Sequence, residues 1–345
     1  VQHLINQAVE QALAFLHQRQ LHDGQFVAYT AGDSPMQAWI SADNALFPTL
    51  LMSHCLLHVA ENPLADEMLT KVTRFVRNEM NYGGLWNHYS NNHWLRRICP
   101  LDADDTACAS ALLRARGINC PVPSNAPLFM VNRNEAGLFY TWFVMRLRWI
   151  PSRTFWQITV RELLQPIQSL VFWRAVEANR NDVDGVVNAN VLYYLGDVPQ
   201  TQPVIGYLLR IIAENQEHDC DLWYRDPFAV YYFFTRNYYV GITKLEPLRE
   251  PIITRILAQA KPDGRLGETL ADTAWAVCSL LNMRSSPPEL EAAVRYILQA
   301  QLPTGNWPRW LLYYGGPKKA VGWGSEEMTT SFCLEALARY QALTQ

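Results

Sequence analysis

Along most of this 345-residue chain the apolar residues recur at helical spacing, and they seldom alternate with polar ones. Leu4, Val9, Leu13 and Leu16 trace one helix face near the start. Similar patterns predict helices over Asn44 to Val59, Leu64 to Val76, Asp105 to Arg116, Leu138 to Trp149, Phe155 to Val176, Val186 to Leu195 and Val204 to Asn215. Others follow over Ile252 to Ala258, Leu270 to Leu281, Pro288 to Ala300 and Glu326 to Tyr340. Strand-like segments are nearly absent, so the expected class is all-α.

A glycine turn punctuates these helices. Gln301-Leu-Pro-Thr-Gly305-Asn-Trp307 follows one helix near the end, and Gln20-Leu-His-Asp-Gly24-Gln-Phe26 follows another near the start. Weaker echoes run from Met80 through Gly84 to Trp86, from Arg133 through Gly137 to Phe139, and from Pro262 through Gly264 to Leu266. The glycine permits a tight, often left-handed turn, the aromatic folds back onto helix ends, and the Gln can bond exposed helix-end groups. Helices repeated in this way cannot bury their faces singly, which predicts a closed ring: a single α/α barrel of about twelve helices with QxxxGxW (QW-type) repeats. The repeats continue across the Pro-rich stretch Cys120 to Pro127, so that stretch is expected to be a loop inside one domain spanning 1–345.

The sharpest chemical signal is Asp102-Ala-Asp104-Asp105-Thr106-Ala107, which opens an apolar helix through Ala111, Leu112 and Ala115. One or two acids there would cap the helix and complement its dipole. Three carboxyls within four residues repel one another, and the usual relief is that one stays protonated. Carboxylates also bind Mg²⁺, but the DDxxD spacing of ionisation-type terpene synthases is missing, which leaves no metal expected.

Composition narrows the partners. Twenty-nine Lys and Arg against 32 Asp and Glu give a net charge of −3, with no basic excess for nucleic acid. No apolar run approaches the ~20 residues of a membrane span, and the first residues are too polar for a signal peptide. Seven scattered cysteines (55, 99, 108, 120, 220, 278 and 333) form neither a disulfide frame nor a zinc knuckle, so a cytoplasmic protein is expected. His54 and His58 have a zinc-compatible spacing without an evident third ligand.

The acid motif together with the glycine-turn repeats resembles the class II, protonation-initiated terpene cyclases, the family of squalene–hopene cyclase and the copalyl diphosphate synthases. Val187 to Leu192 resembles a family segment in which a His hydrogen-bonds the acid, and Asn190 stands at the His position. Thr273 to Ala276 and Val294 to Gln301 resemble family helices as well. The short chain is most similar to the single-domain meroterpenoid cyclases. The resemblance implies an isomerase without a cofactor. Asp104 would protonate the terminal alkene or epoxide of a linear polyprenyl chain, a prenylated hydroxybenzoate being the favoured substrate. Asn190 would orient that proton, with Asp102 and Asp105 setting the local field.

An isolated alkene is a very weak base, so the acid must act where water cannot compete, and neighbours must stabilise the carboxylate left behind. The resulting cation needs walls that stabilise it without attacking it, which gives the twelve Trp a use. Trp142 and Trp323 lie where the resemblance implies cavity aromatics, and Trp86, Tyr89, Tyr140, Tyr231 and Tyr232 are further candidates. The polar loop Asn87 to Arg97, with His88 and His93, would close the mouth, while Arg96, Arg97, Lys318 and Lys319 could meet an anionic head group. A greasy substrate would be collected by transient contact with a membrane surface. Two alternatives share the helical ring, a protein prenyltransferase β-subunit and a non-catalytic lipid- or protein-binding toroid. The first needs a zinc site of Asp, Cys and His, and the second would not need the acid cluster.

Overall fold

The computed structural model describes residues 2–118, 125–144, 146, 153, 155–157, 160, 166–315 and 320–344. Lys318, Lys319 and most of the Cys120 to Pro127 stretch lie outside them, as do parts of the helices expected over Leu138 to Trp149 and Phe155 to Val176.

The helices fall into two kinds, separated by how their apolar residues are distributed. In α2 (Leu46–Leu56) all eleven residues are buried. In α4 (Ala103–Ala115) burial runs from Ala103 to Leu113. Burial is nearly continuous too in α7 (Gly185–Leu195), α9 (Pro227–Tyr239), α11 (Leu270–Asn282) and α13 (Glu326–Thr344). Such helices have no face to offer water. They pack on one another in sequence, α2 on α4, α4 on α7, α7 on α9, α9 on α11 and α11 on α13, and α13 returns to α2, so the cycle closes.

The second kind buries one stripe. α1 (Gln2–Arg19), α3 (Pro63–Asn78), α8 (Gln202–Ala213), α10 (Arg249–Leu257) and α12 (Pro288–Gln299) keep polar residues on the opposite face. They pack outside the cycle: α1 on α13, α3 on α2, α8 on α7, α10 on α9 and α12 on α11. Two further α-helices, α5 (Ala126–Val131) and α6 (Pro166–Ala175), are described.

The five glycine turns share one hydrogen-bond pattern. In each, a backbone amide donates to the carbonyl four residues on: Leu21 to Gln25, Asn81 to Leu85, Asn134 to Leu138, Lys261 to Arg265 and Leu302 to Asn306. The glycine amide closes the turn by donating back three residues. Two residues past each glycine, a backbone amide donates to a side chain in the first turns of an inner helix. Phe26 reaches Thr49, Trp86 reaches Thr106, Phe139 reaches Asn188, Leu266 reaches Thr273 and Trp307 reaches Thr330, at 2.9–3.2 Å. The indoles of Trp86 and Trp307 each donate to a carbonyl in the last turn of the preceding outer helix, Val76 and Ile297. Gln20 and Gln301 do not reach helix ends as expected. Each bonds its own turn's glycine carbonyl and a mid-helix carbonyl of the next outer helix, Met68 or Ala8.

The chain is not purely helical, which corrects the all-α expectation. β1 (Ala28–Ala31), β2 (Ser41–Asp43), β5 (Trp310–Gly315) and β6 (Val321–Ser325) form an antiparallel sheet in the order β2-β1-β6-β5. β3 (Leu101–Asp102) pairs with β4 (Trp142–Phe143), matching Leu101 to Phe143 and Asp102 to Trp142. β4 replaces the start of the helix expected over Leu138 to Trp149, because the aromatic and β-branched run Tyr140 to Val144 suits a pleated backbone. No helix among the described residues is long and apolar enough to cross a membrane.

Gly305 has φ +87°, and an added Cβ would lie 2.6 Å from the Gln11 carbonyl oxygen. Gly117, at φ +68°, has nothing within 4 Å. Both Gly→Ala variants should lose about 1 kcal/mol or more to backbone strain. Gly305→Ala should lose more, because it also pushes α1 away. Urea unfolding of the two variants checks this, and equal losses would mean the turn does not staple the outer helices.

Candidate active site

The repeat separates the structural acids from the remaining one. Asp102 caps α4, its Oδ1 accepting the Asp105 amide at 2.7 Å, and Thr269 caps α11 in the same way toward Asp272. Thr106 is the bridging residue of its turn, and Asp105 has a counterpart in Asp272. Two positions before the bridging residue, the other four turns carry Phe47, Val186, Ala271 and Met328, all buried and apolar. The α4 turn carries Asp104 there. Capping and turn chemistry do not account for it.

Asp104 is buried at the second residue of α4 and lines a cavity holding about 620 Å³ of atom-free space, its mouth included. Oδ1 accepts from Asn190 Nδ2 on α7, and Oδ2 accepts from the Tyr224 hydroxyl at 3.2 Å. Asn190 Oδ1 in turn accepts from Arg236 Nη2 on α9 at 2.5 Å. A guanidinium has only donors, so it fixes the Asn190 amide with its oxygen toward Arg236 and its N–H toward Asp104. Each Asp104 oxygen thus accepts one hydrogen bond, Oδ1 from the oriented Asn190 amide and Oδ2 from Tyr224.

Burial, then the charge of Asp102, push the Asp104 carboxyl up to about 7, while Asn190, Tyr224 and Arg236 pull it down. Asp105 is held well above the usual carboxylate range by burial and by Asp102, and burial raises Asp102 too. The cluster therefore relieves its repulsion by keeping protons on.

Aromatic rings wall the cavity. Trp142, brought beside Asp102 by the β3–β4 pairing, meets Phe172, Trp173 and Trp223 edge-on at 5.2–5.7 Å. Trp323 on β6 stacks on Tyr313 of β5 at 5.4 Å, and its indole donates to Asp43 at 2.6 Å. Tyr89 also lines the cavity. Four other expected aromatics lie elsewhere. Trp86 belongs to its turn, and Tyr140 sits half-buried under the Arg146 guanidinium, 3.5 Å away. Tyr231 and Tyr232 donate to Glu217 and Glu335, away from the cavity lining.

The loop Asn87 to Arg97 builds wall as well as rim. His88 is half-buried among Phe47, Tyr89, Tyr313 and Trp323, and desolvation of its ring pulls its pKa down to about 4, so it is neutral at physiological pH. Arg96 braces the loop on Glu79 and the Tyr89 carbonyl, and Arg97 is exposed. His54 bonds the Cys108 carbonyl and His58 faces Glu335, so the two do not converge. Sequence reasoning missed Tyr224, Tyr313, Phe172 and Arg236. A lone Arg inside the aromatic run Tyr231 to Tyr239 was the available signal for the last.

No family model and no curated protein matches the sequence. The fold matches solved structures over nearly the whole chain. A protein from Actinoplanes aligns at TM-score 0.65 and 17% identity, over 97% of this chain and 99% of that one. The type II terpene cyclase MstE from Scytonema, a variant bound to its product merosterolic acid A, aligns at 0.69 and 15%, over 99% and 98%. Another MstE variant, bound to its substrate geranylgeranyl dihydroxybenzoate, aligns at 0.68 and 16%, over 99% of both chains. The helix-rich fold thus resembles that of the type II terpene cyclase MstE.

A carboxyl raised on folding destabilises the protein once the unfolded chain ionises. The neutral form is shared below about pH 4, the penalty grows as pH rises to about 7, and above that it is constant. Asp104→Asn should therefore match the wild type in stability near pH 4 and exceed it by up to about 4 kcal/mol near pH 7. Denaturant titrations across this range test it; a pH-independent difference would mean that Asp104 is not held neutral.

Proposed function

We propose that this protein is a class II terpene cyclase, an isomerase in which Asp104 protonates the terminal alkene or epoxide of a linear polyprenyl chain. The single observation that carries the reading is a buried carboxyl, pushed up to about 7, in the wall of a cavity otherwise built mainly from aromatic rings. In this reading the closed helix cycle and its outer partners make up one α/α barrel spanning 1–345, and the glycine turns are its QW-type repeats.

The chemistry follows from the residues. Asp104 Oδ2 gives its proton to one alkene carbon, leaving a carboxylate on the enzyme and a cation on the substrate. Asn190 holds Oδ1 so that the proton faces away from it, and the N-terminus of α4 favours the new negative charge. Rings such as Trp142, Trp323 and Tyr313 stabilise the cation by about 2 kcal/mol each when desolvated. Successive alkenes attack along the pre-folded chain, loss of a proton from carbon to water or a base ends the sequence, and a proton from solvent restores neutral Asp104. The product is an isomer of the substrate, so no redox partner enters the balance.

The likeness to a cyclase that binds geranylgeranyl dihydroxybenzoate supports a prenylated hydroxybenzoate as substrate, and the aromatic lining of the cavity suits a prenyl chain. Collection of that chain from a membrane surface fits its low solubility.

Incubation with farnesylated and geranylgeranylated hydroxybenzoates in D₂O tests the proposal. A polycyclic product carrying one solvent-derived deuterium is expected, and Asp104→Asn should lower the rate by at least about 10³-fold while still folding. A fully active Asp104→Asn would remove the proton-donor role. Asn190→Ala should slow turnover by about tenfold or more, through loss of a bond to the charged state; an unchanged rate would remove its part.

A further inference from the structure

Arg236 is a buried cation that lacks the counter-ion its kind usually has. Arg339 has Glu335 at 2.8 Å, Arg255 has Glu217 at 2.9 Å and Arg96 has Glu79 at 3.2 Å. Among the described residues no carboxylate lies within ion-pairing distance of Arg236. Nη2 is spent on Asn190 and, at 3.9 Å, on Cys108 Sγ, while Nε has no partner. The guanidinium lies over the rings of Tyr193 and Phe233, at 4.4 and 4.9 Å. An unpaired buried guanidinium is costly, so its retention calls for an explanation beyond packing.

We propose that Arg236 is a positioning residue for the proton donor: acting through Asn190, its permanent charge stabilises the carboxylate formed when Asp104 gives up its proton. The inference rests on the reading of Asp104 as a proton donor. Donors and acceptors run in one direction, from guanidinium N–H to amide oxygen, and from amide N–H to carboxylate. Such a chain polarises as the far end becomes negative, and all three of its groups are buried, where charges are screened less than in water. While Asp104 is neutral the cation is uncompensated; once the proton has left, the two charges balance. Arg236 thus makes a carboxyl that burial keeps neutral into a stronger acid. The groups acting on Asp104 are Asp102, Asp105 and Cys108 from α4, Tyr224 ahead of α9, Tyr313 from β5, and Arg236, which is the cation among them.

Three readouts on Arg236→Met and Arg236→Lys test the inference. The first is the infrared titration of the Asp104 carboxyl in protein without substrate, its band identified by its loss in Asp104→Asn. The second is the pH dependence of kcat and KM with a prenylated hydroxybenzoate, and the third is Tm. For Arg236→Met we expect the Asp104 titration to move up by about one pH unit or more, the size of a nearby opposite charge. The alkaline limb of the kcat profile should move up with it, while kcat falls about tenfold and KM stays within about twofold. Arg236→Lys, which keeps a donor-only cation, should retain the wild-type titration and most of kcat. Should Arg236→Met fail to fold, Asn190→Leu removes the bridge and should move the titration in the same direction.

A lowered Tm with an unmoved Asp104 titration would make Arg236 structural and overturn the inference. If the titration moves but the wild type makes no cyclic product, the cyclase reading fails while the charge coupling stands. If the wild type cyclises and Arg236→Met keeps both its titration and kcat, the inference alone fails.

Discussion

A single hydrogen bond, from the Trp86 amide to the Thr106 hydroxyl, decides where Asp104 sits. It pins the first turn of α4 to the glycine turn before it, as four other such bonds pin their inner helices. Once Thr106 is held, 3.6-residue geometry places Asp104 about half a turn earlier, at the helix N-terminus, where the other repeats present apolar side chains to the interior. The fold thus contains a socket meant for Phe, Val, Ala or Met, and one copy of it holds a carboxyl. A core made mostly of helices buried on both sides surrounds that socket.

Two opposed effects then act on this carboxyl, and neither alone would make a useful acid. Burial without partners would keep the proton on but make its loss hopelessly uphill. Partners without burial would let it ionise in water and leave nothing to donate. Here burial and Asp102 outweigh Asn190, Tyr224 and Arg236, so the group stays neutral to about pH 7. The partners gain strength as the charge develops, since a hydrogen bond to a carboxylate is roughly twice as strong as one to a neutral acid. Asn190 suits this role because it does not titrate: an imidazole there would have to hold its own proton beside a buried guanidinium.

Much of this was legible in the sequence because the repeat acts through local chemistry. A glycine that must take positive φ, an aromatic two residues later in four of the five turns (Leu266 in the other) and an acid cap are short-range signals, and they marked the turns and the Asp102–Thr106 segment. The aromatic walls were less legible. Phe172, Tyr224 and Tyr313 converge from α6, the segment before α9 and β5, and no spacing along the chain announces that meeting. Helix α9 was not among the expected helices, because its aromatic run shows no polar face; Pro227 at its first position and the Asp226 cap, 2.8 Å from the Phe228 amide, mark its start. Tyr231 and Tyr232, on the same helix as Arg236, satisfy Glu217 and Glu335 instead of facing the cavity. The sheet was hidden by the glycines of Val321 to Ser325, a composition poor for isolated strands.

Acid and walls come from different kinds of element, and this separates their consequences. Asp104, Asn190 and Arg236 stand on three neighbouring inner helices, α4, α7 and α9, whose mutual packing leaves little room for adjustment. Trp142, Tyr313 and Trp323 stand on short strands, where side chains project at alternating positions and a change in one residue or one bulge re-aims a ring. The β5–β6 register already shifts between Leu311 and Tyr313, at the edge of the cavity. Acid strength is therefore tied to the rigid part of the fold, while cavity shape is set by parts that can vary without disturbing it. In the proposed reading, a scaffold arranged in this way can change the chain it folds, and the rings it closes, while the proton donor remains as it is.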